Sequence, residues 1–152
     1  MNYGFIGTGG ITTAMVTGLC SADSPPETIW VSPRNRQKAN RLAADYAAVT
    51  VGSSNQAVVD QSDVVVLAIL PQHKESVLAP LSFRRDQAVI HLLAGTSIDA
   101  VRPLVAPATD IVRAVPPSGL QSPDRCDCAH QDGLAGSHDA PLSRHHGQHA
   151  TA

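Results

Sequence analysis

The chain has 152 residues, enough for one domain of ordinary size and too few for two well-packed ones. Its hydrophobic fraction of 43% suits a globular protein, while an aromatic fraction of 3% means the core must be built from Val, Leu, Ile and Ala. A formal net charge of −2 leaves no electrostatic footprint for nucleic acid or an acidic membrane surface. Three cysteines do not make a disulfide framework, which points to a reducing, cytoplasmic setting. The longest apolar run, Val64 to Leu70, is far too short to span a bilayer.

Taken in chain order, β-branched runs predict strands at Asn2–Gly7, Thr28–Val31, Val49–Gly52, Val64–Ala68, Ala88–Leu93 and Asp110–Val115. Between them, amphipathic stretches predict helices at Gly10–Ser21, Arg36–Tyr46, Asn55–Gln61, His73–Leu81 and Ser97–Val105. Runs such as VVVLAI are apolar throughout, the signature of a parallel sheet covered on both faces. Strict alternation of strand and helix then implies right-handed crossovers and an α/β fold with a doubly wound, mostly parallel sheet over residues 1–116.

The pattern fails after Pro116. Residues 117–152 contain three large aliphatic side chains (Leu120, Leu134, Leu142) and five of the seven histidines, among Ser, Asp, Gly, Pro and Gln. Such a segment cannot bury enough apolar surface to offset roughly 1–2 kcal/mol of backbone entropy per residue. It reads as a disordered tail, and the abruptness of the change suggests a frameshift. Cys126, Cys128 and His130, with His145, His146 and His149, carry zinc-type donors, but their spacing fits no compact four-ligand site. No metal is expected.

The first strand ends in Gly7-Thr8-Gly9, followed by Gly10-Ile11-Thr12, a G-x-G-x-x-(G/A) fingerprint with Thr12 in the third position. Gly7 permits a tight strand-to-helix turn, Gly9 lets backbone approach a pyrophosphate, and the helix start aims free N–H groups at it. Thr12 is bulkier than Gly or Ala and should loosen the helix-to-strand packing. A structural glycine turn is the competing reading. After the second strand, an NAD site would carry Asp or Glu for the ribose hydroxyls. Here the text is Ser32-Pro33-Arg34-Asn35-Arg36, with a hydroxyl from Ser32 and guanidinium groups from Arg34 and Arg36 that can pair with a 2′-phosphate. The expected fold is therefore Rossmann-like and the expected cofactor NADP(H); a solvated helix start is the alternative reading of the arginines.

With these residues in view, the sequence resembles the pyrroline-5-carboxylate reductase family across most of residues 1–116. The likeness is carried by GFIGTGGITTAM, IWVSPRN, SSNQAVVDQSDVVVLAILPQ and DIVRAVP. The resemblance implies NADPH-dependent reduction of an imine to proline, with a small imino acid as substrate. It puts Ile6, Gly7, Thr8, Gly9, Gly10 and Ile11 on the pyrophosphate, Ser32 and Arg34 at the adenosine end, and Asn55 on the ribose. Ala68, Ile69, Leu70, Pro71, Ala94 and Gly95 would border the nicotinamide. Leu70 stands where the family commonly has Lys, and Pro117-Ser118 replaces its usual Asn-Thr. The family's second domain, a helical bundle that forms the homo-oligomer and holds the substrate, has no recognisable counterpart in residues 117–152, so a truncated chain is expected. The alternatives are a non-catalytic NADP-binding module and another NADP-linked oxidoreductase, such as a deazaflavin-dependent NADP reductase. Of the histidines in the ordered part, His91 reads as a packed, hydrogen-bonded core residue, and His73, just after Leu70-Pro71-Gln72 near the expected cofactor edge, as a surface residue at a helix start. No side chain is read as catalytic.

Overall fold

Each of the six β-branched runs forms a strand in the computed structural model, which describes residues 1–116. The segment 117–152, with the expectations of disorder and of metal donors attached to it, lies outside the described residues. The strands are β1 (Asn2–Ile6), β2 (Thr28–Val31), β3 (Val49–Val51), β4 (Val64–Leu67), β5 (Ala88–His91) and β6 (Asp110–Arg113). They form one sheet in the order β3-β2-β1-β4-β5-β6, and every pairing is parallel. The doubly wound Rossmann-like α/β architecture read from the sequence is what the chain adopts. Strand order reverses between β1 and β4, which leaves a crevice beyond the carboxyl ends of those strands.

The helices are α1 (Gly10–Cys20), α2 (Arg36–Asp45), α3 (Asn55–Asp60), α4 (Lys74–Leu78) and α5 (Ile98–Val101). Side chains that accept a hydrogen bond from the first turn mark three of their starts: Asn35 from Lys38 N–H, Ser54 from Ala57 N–H and Ser97 from Ala100 N–H. Such caps satisfy amides that a helix cannot bond internally. Two helices are shorter than their amphipathic pattern suggests, and proline is the reason. Pro71–His73 forms a 3-10 turn before α4, and Pro80, which follows the Ala79 cap, has no N–H with which to continue the helix ladder. Pro103 cannot donate to the carbonyl four residues back, so α5 passes into a 3-10 turn at Arg102–Leu104.

Alternating strand residues supply two cores. On one face Phe5, Ile29, Val31 and Val66 pack with Val16 of α1 and with Ala39 and Leu42 of α2. On the other, Ile6, Val65, Leu67 and Val89 pack with Val58 and Val59 of α3, Leu78 of α4 and Val101 of α5. Each fully buried Val or Leu contributes about 1.5–3 kcal/mol, so the sheet is held rigidly from both sides. Its loops can therefore be placed accurately at the carboxyl edge.

Candidate functional site

The site is built outward from the turn between β1 and α1. Gly7 sits at φ 99°, a left-handed conformation that side chains disfavour. A Cβ there would also collide with the Ala68 carbonyl at the end of β4. Around Gly9 a Cβ would meet nothing within 4 Å, so that side of the turn is open. The first intrahelical bond of α1 runs from Thr13 N–H to the Gly9 carbonyl at 3.0 Å. The preceding amides of Gly10, Ile11 and Thr12 therefore lie ahead of the ladder, where a helix start favours anions.

Four hydroxyl contacts lock this turn. Gly7 N–H donates to Ser32 Oγ at 2.9 Å, and Thr8 Oγ1 donates to the Ser32 carbonyl at 2.7 Å. Thr8 Oγ1 and Ser32 Oγ also lie 3.1 Å apart. The Thr12 hydroxyl donates to the Gly7 carbonyl. Thr12 is fully buried and clamps the turn, which reverses the expectation that its bulk loosens the packing. Ser32 is likewise buried. Its hydroxyl ties the end of β2 to the turn, a structural task that the reading of Ser32 as a simple ligand donor did not foresee.

A cavity of about 580 Å³ opens above this turn, inside the usual range for small-molecule sites. Its floor is Ile6 to Gly9, and one wall is the loop after β2, from Ser32 through Arg34, Asn35 and Arg36. The other wall comes from Asn55 at the start of α3, Ala68 to Leu70 after β4, and His73 with Val77. Among the described residues the charged side chains on this surface are all basic, and no carboxylate lines it. Among the described residues neither Arg34 nor Arg36 forms an ion pair. Two unpaired guanidiniums above a turn of free amides make a site for a polyanion.

Of the residues singled out in the sequence, Ile6, Gly7, Thr8, Gly9, Ser32, Arg34, Asn55, Ala68, Ile69 and Leu70 come together around the cavity. Gly10, Ile11, Pro71, Ala94 and Gly95 do not line it; Gly95 occupies a second positive-φ position at φ 65°. Asn35 and Val77 were not expected there. Asn35 was hidden by its role as the cap of α2. Val77 had a local signal, because it lies four residues after His73 and shares that face of the chain. His91 lies elsewhere, fully buried in β5. Contrary to expectation it is not hydrogen-bonded, because both ring nitrogens are without partners among the described residues. Burial, and then the charge of Arg113 on the neighbouring strand, hold its pKa below the ordinary value of 6.5.

The chain belongs to the NADP oxidoreductase, coenzyme F420-dependent family, whose model matches residues 2–95. Its likeness to pyrroline-5-carboxylate reductases is also borne out. It is 30% identical over 116 residues to the pyrroline-5-carboxylate reductase of Corynebacterium melassecola, covering 73% of this chain and 43% of that protein. The Haemophilus influenzae pyrroline-5-carboxylate reductase is 32% identical over 114 residues, covering 74% and 41%. The crystal structure of the 1-pyrroline-5-carboxylate reductase from Streptococcus pyogenes superposes with a TM-score of 0.63 at 31% identity, covering 76% of this chain and 42% of that one. The chain thus spans about two-fifths of the length of the relatives it matches. Among the described residues, no helix is long and apolar enough to cross a membrane.

Proposed function

We propose that residues 1–116 bind NADP(H) in the crevice beyond β1, β2 and β4, as the dinucleotide-binding part of a cytoplasmic oxidoreductase of the pyrroline-5-carboxylate reductase type. The observation that carries this reading is the cavity wall after β2, where Arg34 and Arg36 stand in place of the carboxylate of an NAD site. A carboxylate would repel a 2′-phosphate, whereas guanidinium pairs with it through charge-assisted hydrogen bonds. The residues present fit such a group: open space at Gly9, amides ahead of the helix ladder and unpaired cations above them.

In this reading Gly7 to Ile11 take the pyrophosphate, Arg34 and Arg36 the 2′-phosphate, and Asn55 the adenosine ribose. Ala68 to Pro71, with Ala94 and Gly95, border the nicotinamide. Ser32, Thr8 and Thr12 hold the turn in shape beneath it. When bound, the cofactor supplies hydride to the imine carbon of a small imino acid; these residues supply position and electrostatics. In this reading the imino-acid site and the interface between subunits fall to the part of the relatives' length that residues 1–116 do not match. The test is a fluorescence titration with NADPH, followed by a proline-forming assay. Saturable binding with turnover supports the enzyme, binding without turnover supports a non-catalytic module, and no binding defeats both.

The description of the matching family model favours a second reading, in which a deazaflavin exchanges hydride with the same NADP(H) site. Oxidation of NADPH by a deazaflavin, in the absence of any imine, would select it.

A further inference from the structure

We infer that His73 is a base-binding residue, and that its imidazole, with Val77 beyond it, forms the wall on which the cofactor's adenine rests. This rests on the NADP(H) reading of the cavity. The loops after β2 and β4 stand on either side of the turn after β1, because β2 and β4 are the two neighbours of β1 in the sheet. Arg34 and Arg36 occupy the β2 side. The 2′-phosphate they would hold is attached to the adenosine ribose, so the purine must lie at this end of the crevice. On the β4 side the lining runs from Ala68, Ile69 and Leu70, assigned above to the nicotinamide, on to His73 and Val77.

A purine presents two flat, weakly polar faces, and flat rings or guanidinium groups are the side chains that cover them best. Among the described residues the cavity lining contains no Phe, Tyr or Trp, which leaves His73 as the one ring there. Its backbone is fixed on both sides: His73 N–H donates to the Leu70 carbonyl at 2.9 Å, and the His73 carbonyl accepts from Ser76 Oγ at 3.1 Å. No side-chain hydrogen bond of His73 occurs among the described residues, so the exposed ring is uncommitted to the fold. An exposed histidine at the start of a short helix thus acquires a task that its sequence position alone does not show.

Three ligands separate this inference from the site as a whole: NADPH, 2′,5′-ADP, which carries the base, and inorganic pyrophosphate, which does not. Replacing His73 with Ala should weaken NADPH and 2′,5′-ADP by about five- to tenfold, the lower part of the range for loss of one aromatic–base stack, and leave pyrophosphate unchanged. His73→Phe, which restores a ring without its nitrogens, should bind 2′,5′-ADP within about twofold of the wild type. The inference is overturned if His73→Ala binds 2′,5′-ADP as the wild type does, if it loses all three ligands equally, or if His73→Phe is as weak as His73→Ala. A wild-type chain that binds NADPH beside an unaffected His73→Ala variant removes this inference alone. A wild-type chain that binds no NADPH removes the cofactor reading as well.

Discussion

Side chains brace backbone at both ends of the sheet, but the two ends differ in the donors they leave without partners. At the amino ends of the strands, side chains are spent on backbone. Gln87, fully buried, donates from Nε2 to the Val59 and Ser62 carbonyls at 2.6 and 2.9 Å and accepts from Arg84 N–H at 2.8 Å. Arg84 in turn donates to the Asp60 and Ser62 carbonyls, and Asn2 N–H donates to Asp63 Oδ2. At the carboxyl ends, the amides opening α1 and the guanidiniums of Arg34 and Arg36 are left unspent around a cavity. A closed network gives stability; an open set of donors in a held geometry gives a binding site. Within this fold the contrast separates structural polar residues from functional ones better than residue type does.

Substitutions at each end should therefore have different consequences. The largest effect is expected at Gly7, where both meet. Gly7→Ala forces a side chain into positive φ, about 1–3 kcal/mol of backbone strain, and drives it against the Ala68 carbonyl. It should lower both the urea midpoint and NADPH affinity, the latter by more than about tenfold because, in the proposed function, this turn holds the pyrophosphate.

At the amino end, Gln87→Leu leaves Arg84 N–H without its partner, while the Val59 and Ser62 carbonyls keep bonds from Ser62 N–H and Arg84 Nη2; it should cost about 1–3 kcal/mol in urea unfolding. NADPH affinity of the folded fraction should not change. A matching loss of affinity would show that the two ends are not independent. At the carboxyl end, Arg34→Asp removes a charge-assisted contact worth about 1.5–3 kcal/mol and adds repulsion. It should weaken NADPH by at least about tenfold, leave NADH nearly unaffected, and keep the unfolding midpoint. Equal losses for the two cofactors would contradict the role given to the arginine.

His91 breaks the rule, since it is buried yet without a partner among the described residues, and it sharpens the comparison with the smallest effect. Its folded pKa lies below 6.5, so in acid the unfolded chain binds a proton that the folded chain refuses. Stability should thus be greatest above pH 6.5 and fall as the pH drops through the depressed folded value. His91→Leu removes two unpaired polar atoms and should flatten this dependence while stabilising the fold by about 1 kcal/mol at neutral pH. Urea midpoints at pH 5 and pH 8 for both proteins would settle the sign.

Much of the fold was readable in the residues because local chemistry decides it. Apolar runs rich in Val and Ile placed β2 to β6, Tyr3–Ile6 placed β1, and the amphipathic pattern placed the ends of α1 to α3 within a residue. Prolines 80 and 103 shortened α4 and α5 relative to their apolar periodicity, a case of backbone chemistry overriding pattern. The positions of the glycine turn and of Arg34 beside the cavity were legible because both follow strands directly. The second tasks of Ser32 and Thr12, and the meeting of Val77 and His73 with the arginine loop, were not. They depend on β2 and β4 flanking β1, a long-range fact that no short stretch of sequence encodes. The isolation of His91 escaped for the same reason: whether a buried ring finds a partner depends on what neighbouring strands and helices bring to it.

The claim on which the rest depends is that the carboxyl-end cavity recognises the 2′-phosphate of NADP(H). Paired calorimetric titrations of the chain with NADPH and with NADH test it most directly. The account predicts saturable binding of NADPH at least about tenfold tighter than NADH, the worth of one charge-assisted contact. Equal affinity for the two, or no heat with either at millimolar concentration, would contradict it.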